Sequence, residues 1–217
     1  NPTVVNNVET FAHVARVLAH GADWFREVGT DSSPGSMVFT LTGDVPNPGV
    51  YELPLGTPLR TLVVDIGGAD PDAIKAIYSG TSNTVVRPDQ LDTPMDFDAM
   101  AEVGTGMGSG GFVVYDHDRC IVRVLAVLAR FLALESCGQC NACKLGTTAI
   151  HEHLDRIEAG HGDTDVLDAI VQRVPVITDQ ARCYLPTGAQ LTVGSTLEHH
   201  WEEVVAHLSL IHISEPT

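Results

Sequence analysis

The sequence predicts an α+β protein in which a small strand-containing unit precedes an all-helical region. Two observations lead to this prediction. Short apolar segments separated by turn residues lie between positions 36 and 116, and their alternation is typical of half-buried strands. From position 117 to position 208 the apolar residues recur at intervals of three and four instead, which is the spacing of amphipathic helices.

The first 35 residues are predicted to form one helix and a connection. A stripe of apolar residues at helical spacing indicates the helix, and Gly21 is placed to end it. The segment 31–36, Asp-Ser-Ser-Pro-Gly-Ser, is a turn-rich break before the next unit. The stripe consists of Val8, Phe11, Val14, Ala15 and Leu18.

Residues 36–116 are predicted to contain four strands and one helix. The helix is placed after Thr57, because Thr57 can cap a helix, Pro58 suits its first position and two glycines follow. The glycine-rich run 104–111 contains G-x-G-x-x-G, but it opens a strand, whereas the dinucleotide fingerprint opens a helix. We therefore interpret the run as a close backbone approach. The predicted strands are 37–42, 50–53, 73–78 and 112–115.

Residues 117–208 are predicted to form four amphipathic helices that bury their apolar stripes against one another as a bundle. The fourth helix is expected to begin at a capping box, Ser195-Thr196-Leu197-Glu198. The stripes begin at Ile121, Leu145, Val166 and Leu197.

Charge and hydropathy exclude two classes of partner. The chain has 12 basic and 28 acidic residues, a net charge of −16, whereas nucleic-acid and anionic-membrane binders need basic surfaces. The longest apolar stretch, 121–134, is interrupted by Arg123 and Arg130, and a membrane span needs roughly 20 mostly apolar residues. We therefore expect neither nucleic-acid binding nor direct membrane insertion.

The two ends of the sequence are interpreted separately. The chain begins at Asn1 without a signal-peptide pattern, which suggests a piece of a longer chain. Residues 209–217 do not continue the helical spacing and are predicted to be a non-native tail, so they carry no fold prediction.

Three of the five cysteines, Cys137, Cys140 and Cys143, lie in one seven-residue segment, and Cys183 follows later. Three thiolates at this spacing can converge on one face of a cluster while a fourth comes from a distant loop, as in four-cysteine iron–sulfur sites. Four-cysteine zinc sites usually use two separate C-x-x-C pairs. The spacing favours a [4Fe-4S] cluster, with structural zinc or unligated thiols as alternatives, and Cys120 is predicted to be a core or boundary residue.

The surroundings of these cysteines suit an anionic cluster. A helix is predicted to start beside Cys143, so its free amides and the positive end of its dipole would face the cluster. Lys144 and Arg182 lie next to two of the cysteines and would offset negative charge.

The segment Glu135–Thr147 resembles the iron–sulfur signature of the flavoprotein (51 kDa, or F) subunit of NADH:quinone oxidoreductase. Related subunits of NAD-dependent formate dehydrogenases and NAD-reducing hydrogenases share this signature. Pro2–Thr10 is similar to the end of that family's flavin domain, and Leu41–Glu52 to its β-grasp domain of the soluble-ligand-binding type. The chain departs from the respiratory pattern at Ala142, where proline is usual, at Lys144, where arginine is usual, and after Cys183.

The resemblance implies a division of the chain. Residues 1–35 would be the end of the flavin-binding domain and a connecting helix, 36–116 a β-grasp domain, and 117–208 a helical [4Fe-4S]-binding domain. No catalytic residue is implied. The implied cluster ligands are Cys137, Cys140, Cys143 and Cys183, and the implied FMN contacts are Asn6 and Asn7.

The resemblance also implies a function. NADH would reduce FMN, and the cluster held by this chain would pass single electrons to a thioredoxin-like [2Fe-2S] subunit and a larger iron–sulfur subunit in the cytoplasm. The family's glycine-rich domain for FMN and NADH has no counterpart here, so this chain alone is not expected to oxidise NADH. The alternatives are a subunit of a soluble formate dehydrogenase or hydrogenase, a zinc-stapled interaction module, and a β-grasp ligand-binding protein.

Overall fold

The computed structural model describes residues 2–208, so the tail predicted over 209–217 lies outside the described residues. The described chain is a mixed α+β structure, as the sequence predicts. Its elements, apart from short 3-10 and π turns, are α1 (Val8–His20), α2 (Ala22–Phe25), β1 (Ser36–Gly43), β2 (Gly49–Pro54), β3 (Ile74–Ser79), α3 (Phe97–Glu102), β4 (Gly111–Asp116), α4 (Ile121–Glu135), α5 (Asn141–Glu158), α6 (Thr164–Arg173), α7 (Leu185–His199) and α8 (Trp201–Leu208).

The four strands form one sheet in the order β2-β1-β4-β3, and all four lie where the sequence predicts them. The central strands β1 and β4 run parallel, and each pairs with an antiparallel neighbour on its other side. Alternate residues of the two central strands are buried, which is the pattern of a sheet with one covered face. These residues are Phe39, Leu41, Phe112 and Val114.

The helix predicted after Thr57 has a different form and start. The Thr57 hydroxyl donates to the Pro54 carbonyl and caps no helix, and Pro58 pairs with Pro94 in an isolated bridge. The chain then makes a π-helical turn over Thr61–Ile66, closed by a bond from the Gly67 amide to the Leu62 carbonyl. Residues 62 and 63 are buried in this turn and belong to the hydrophobic cluster that covers the sheet.

The C-terminal region contains five helices among the described residues, so the prediction of four is wrong. The predicted capping box lies inside α7, which begins ten residues earlier, at Leu185. The Ser195 hydroxyl accepts a hydrogen bond from the Val85 amide at 3.0 Å, in the segment that follows β3. The polar residue Ser195 of the predicted capping box therefore contacts the sheet unit and does not begin a helix.

The helices pack directly against the sheet unit. The buried cluster of the helical region extends onto the sheet unit through Ala76, Tyr78 and Val85. At one edge, Lys75 of β3 pairs with Glu203 of α8 at 3.2 Å. No helix among residues 2–208 is long and apolar enough to cross a membrane.

The N-terminal helix α1 has the bounds that its sequence predicts. The Asn7 side chain accepts hydrogen bonds from the Glu9 and Thr10 amides, and Gly21 ends the helix. None of the α1 residues is buried, and the carboxylate of Glu9 accepts a hydrogen bond from the Val38 amide of β1. The apolar stripe of α1 therefore faces away from the hydrophobic core of the described chain.

Candidate iron–sulfur site

The three clustered cysteines lie in the turn that joins α4 to α5. Cys137 is exposed, Cys140 is half-buried at the N-cap of α5, and Cys143 is buried in the first turn of that helix. Gly138 has φ 80°, and a Cβ there would have no atom within 4 Å, so the turn between the first two thiols is tight and open. The thiol-bearing residues of this segment therefore range from exposed, at Cys137, to buried, at Cys143.

A network of hydrogen bonds holds the base of this turn. The Ser136 hydroxyl lies 3.3 Å from the Cys143 sulfur, and both side chains are buried. The Lys144 ammonium donates to the carbonyls of Ala133 at 2.8 Å and Ser136 at 3.3 Å, at the end of α4. Lys144 therefore joins the start of α5 to the end of α4.

Two helix N-termini next to the cysteines carry no side-chain cap. In α5 the N-cap is Cys140, and in α7 it is Tyr184, directly after Cys183. Neither helix has an acidic residue in its first turn. Amides without caps at the positive end of a helix dipole favour an anionic group.

The fourth cysteine, Cys183, is exposed at the end of the loop that follows α6. This loop is anchored near the start of α5, because a Cβ built at Gly146 would overlap the side chain of Ile177. Gln180 of the same loop is the one non-glycine residue among residues 2–208 with positive φ, at 54°. The loop that precedes Cys183 is therefore in contact with α5 through Ile177.

The described residues contain no group of three or more His, Cys, Asp or Glu side chains already close enough to hold a metal ion. Cys143 points to Ser136, while the thiols of Cys137 and Cys183 are exposed. The donor set nevertheless fits an iron–sulfur cluster in its chemistry, because the four thiols are free and two helix N-termini lie beside them.

The remaining candidate residues have local roles. Asn6 and Asn7 are exposed, and the Asn6 side chain accepts a hydrogen bond from the Asn7 amide at 2.8 Å. Cys120 lies at the boundary of the helical core, as predicted, with its sulfur 3.8 Å from His207 Nδ1. The glycine-rich run leads into β4, also as predicted, and Gly106 and Gly108 lie against Asn83.

Sequence reasoning missed Ser136. A serine before a cysteine has no periodic signal, and its contact with Cys143 exists only because α4 and α5 fold back on each other. The glutamate-serine pair that precedes the first cysteine in the signature was the only available indication.

Comparison with known families accounts for both parts of the chain. Residues 123–207 match the NADH-ubiquinone oxidoreductase-F iron–sulfur binding region, and residues 38–82 match the SLBB domain. Over nearly all of its own length, the chain is similar to NADH-quinone oxidoreductase F subunits. All four candidate cysteines lie inside the matched iron–sulfur region.

Individual relatives come from respiratory and hydrogenase systems. The chain is 40% identical to the NADP-reducing hydrogenase subunit HndC of Solidesulfovibrio fructosivorans, over 95% of this chain and 43% of that protein. It is 39% identical to the F 2 subunit of NADH-quinone oxidoreductase in Rhizobium meliloti (strain 1021), over 96% of this chain and 50% of that protein.

A solved structure also matches. One chain of an NAD+-reducing [NiFe]-hydrogenase in the H2-reduced state superposes with a TM-score of 0.84 and 32% identity, over 96% of this chain and 36% of that one. The chain thus spans half or less of the length of these relatives.

Proposed function

We propose that this chain is the electron-transfer portion of an NADH-oxidising flavin and iron–sulfur subunit. What carries the proposal is that four free cysteines lie inside the stretch that matches the iron–sulfur binding region. A [4Fe-4S] cluster, when bound, supplies one-electron transfer, and the protein supplies its binding and electrostatic surroundings.

The cluster ligands in this proposal are Cys137, Cys140 and Cys143 from the α4–α5 turn and Cys183 from the loop before α7. The uncapped amides of α5 and α7 support the assignment, because they stabilise negative charge next to these thiols. The ammonium of Lys144 adds to the same effect. Cys143 is held against Ser136 in the first turn of α5, and the exposed Cys137 and Cys183 would turn toward it to bind a cluster.

The finer architecture belongs to the same proposal. We assign 36–116 to a β-grasp domain and 117–208 to a cluster-binding helical bundle that consists of α4 to α8. The strand order with parallel central strands supports the first assignment. The buried cluster shared by α4 to α8 supports the second.

The flavin side of the proposal rests on the first residues. Asn6 and Asn7 would contact FMN, and residues 1–35 would end the flavin-binding domain. Both asparagines are exposed, and their side-chain oxygens accept hydrogen bonds from backbone amides. Their side-chain nitrogens can therefore donate hydrogen bonds to a ligand. FMN and NADH would bind mainly to the half of the relatives that this chain does not cover.

Electrons would leave to iron–sulfur partners, a thioredoxin-like [2Fe-2S] subunit and a larger subunit, in the cytoplasm. Exposed apolar side chains at the end of α4 and the start of α5 support contact with another protein beside the cysteine turn. They are Phe131, Leu134 and Leu145. Clustered free thiols also suit a reducing compartment.

Membership of a soluble hydrogenase or formate dehydrogenase is the second candidate. Two observations favour the hydrogenase form: 40% identity to a hydrogenase subunit and the structural match to a hydrogenase chain. The cluster role of this chain is the same in either assembly, and the electron acceptor differs.

Metal content tests the proposal directly. The chain is purified under anaerobic conditions. Its content of iron, acid-labile sulfide and zinc is then measured, and EPR spectra are recorded before and after reduction with dithionite. About four iron and four sulfide per chain with a signal in the reduced state are expected. One zinc without sulfide would overturn the electron-transfer function and leave a zinc-stapled module.

A further inference from the structure

The hydrogen bond between Ser136 and Cys143 stands out among the contacts of the cysteine turn. Ser136 is 7% exposed and Cys143 is 6% exposed, so both residues of this contact are buried. The distance of 3.3 Å between hydroxyl oxygen and sulfur is within hydrogen-bond range for sulfur. The inference from this contact rests on the proposed function, in which the Cys143 sulfur is a ligand of the cluster.

Ser136 is held in place independently of Cys143. Its carbonyl accepts a hydrogen bond from Lys144, whose ammonium also binds the Ala133 carbonyl. The residue that contains the sulfur is fixed from the other side, because the Thr147 hydroxyl donates to the Cys143 carbonyl at 2.8 Å. Hydrogen bonds other than the serine–cysteine contact therefore hold the backbones of both residues, and the hydroxyl and the sulfur lie next to each other as a result.

We propose that Ser136 is a positioning residue that donates a hydrogen bond to the Cys143 sulfur and thereby raises the reduction potential of the cluster. A cysteine that ligates iron has lost its proton, so the serine hydroxyl is the only donor of the pair. Reduction adds negative charge that is shared by the ligand sulfurs, and a donor dipole stabilises this charge. Hydrogen bonds to the sulfurs are among the factors that set cluster potentials.

An EPR-monitored redox titration of the cluster-loaded full chain tests this proposal with three variants. Ser136→Ala removes the hydroxyl, and Ser136→Thr keeps it. Ser79→Ala is the matched control, since the Ser79 hydroxyl is buried in β3 and has no hydrogen-bond partner in the described part of the chain. Iron and sulfide are counted for every protein.

Ser136→Ala is expected to lower the midpoint potential. At the wild-type midpoint, the ratio of reduced to oxidised cluster should fall about three- to tenfold, and tenfold corresponds to about 59 mV for a one-electron couple. Ser136→Thr and Ser79→Ala should stay at the wild-type midpoint. If Ser136→Ala holds too little cluster to titrate, a loaded Ser136→Thr at the wild-type midpoint supports the role of the hydroxyl.

Three results would overturn the inference. Equal midpoints for wild type and a fully loaded Ser136→Ala would do so while leaving the proposed function intact. Failure of both Ser136 variants to load would assign Ser136 to packing alone. Absence of iron and sulfide from the wild type would overturn the proposed function, and the inference with it.

Discussion

Tyr78 of β3 and Thr196 of α7 are joined by a hydrogen bond of 2.9 Å at the buried contact between the sheet and the helices. The Thr196 hydroxyl donates its own proton to the Thr192 carbonyl at 2.7 Å, so Tyr78 is the donor of the bond between them. This bond fixes the position of α7, the helix that directly follows Cys183.

Tyr78→Phe removes that donor and leaves the ring in place. The Thr196 hydroxyl keeps its bond to the Thr192 carbonyl, so the free energy of unfolding should fall by only about 1 kcal/mol. Urea denaturation measures this change. The exposed Tyr184 is the matched control, and Tyr184→Phe should leave the unfolding midpoint unchanged. Equal midpoints for Tyr78→Phe and the wild type would contradict the role of the bond.

We expect the burial of Tyr78 to lower the free energy of unfolding at alkaline pH. Burial raises the pKa of Tyr78 well above its ordinary value of 10.0. Above pH 10 the unfolded chain loses the phenol proton while the folded chain keeps it, so the free energy of unfolding decreases as pH rises. One such group contributes a slope of about 1.4 kcal/mol per pH unit. The difference between wild type and Tyr78→Phe in urea unfolding from pH 9 to pH 11 isolates this slope, and parallel curves would contradict it.

Gly146 and Ile177 form the contact that anchors the loop before Cys183 to α5. Gly146→Ala places a methyl group against the Ile177 side chain and should reduce the free energy of unfolding by about 1–3 kcal/mol. At Gly194 of α7 a new Cβ would lie 3.6 Å from Val174, an ordinary contact. Gly194→Ala should therefore be neutral or stabilise by up to about 1 kcal/mol.

A double-mutant cycle tests whether this overlap is the cause. Ile177→Ala makes room for the added methyl group, so Gly146→Ala should cost less in that background than in the wild type. Additive effects of the two substitutions in urea unfolding would show that Gly146 and Ile177 are not in contact.

The cysteines separate into four proposed ligands and one that serves as a control. Cys183→Ser should reduce the iron and sulfide content and change the EPR signal, because a thiolate ligand is lost. Cys120→Ser should retain about four iron and four sulfide per chain, since Cys120 lies near His207 at another part of the helical core. Full cluster content in Cys183→Ser, measured after anaerobic purification, would exclude Cys183 as a ligand.

Local patterns in the sequence determined much of the fold. The first strand alternates apolar and polar residues, and α1 spans Val8–His20 between its caps Asn7 and Gly21, because capping uses atoms within a few residues of the helix end. The cysteine spacing likewise predicted a turn with a helix after it. These features depend on short-range geometry that a sequence displays directly.

Tertiary structure decided the partners of the polar side chains. The sequence predicts Ser195 as part of a capping box, yet its hydroxyl accepts a hydrogen bond from the amide of Val85, which is 110 residues away in the sequence. The segment after Thr57 has helix signals, yet the chain forms a π turn over Thr61–Ile66, with Leu62 and Val63 buried. Ser136 meets Cys143 only because α4 and α5 fold back on each other. A hydroxyl can satisfy its bonding with a near or a distant partner, and the packing of whole helices and strands determines which one is within reach.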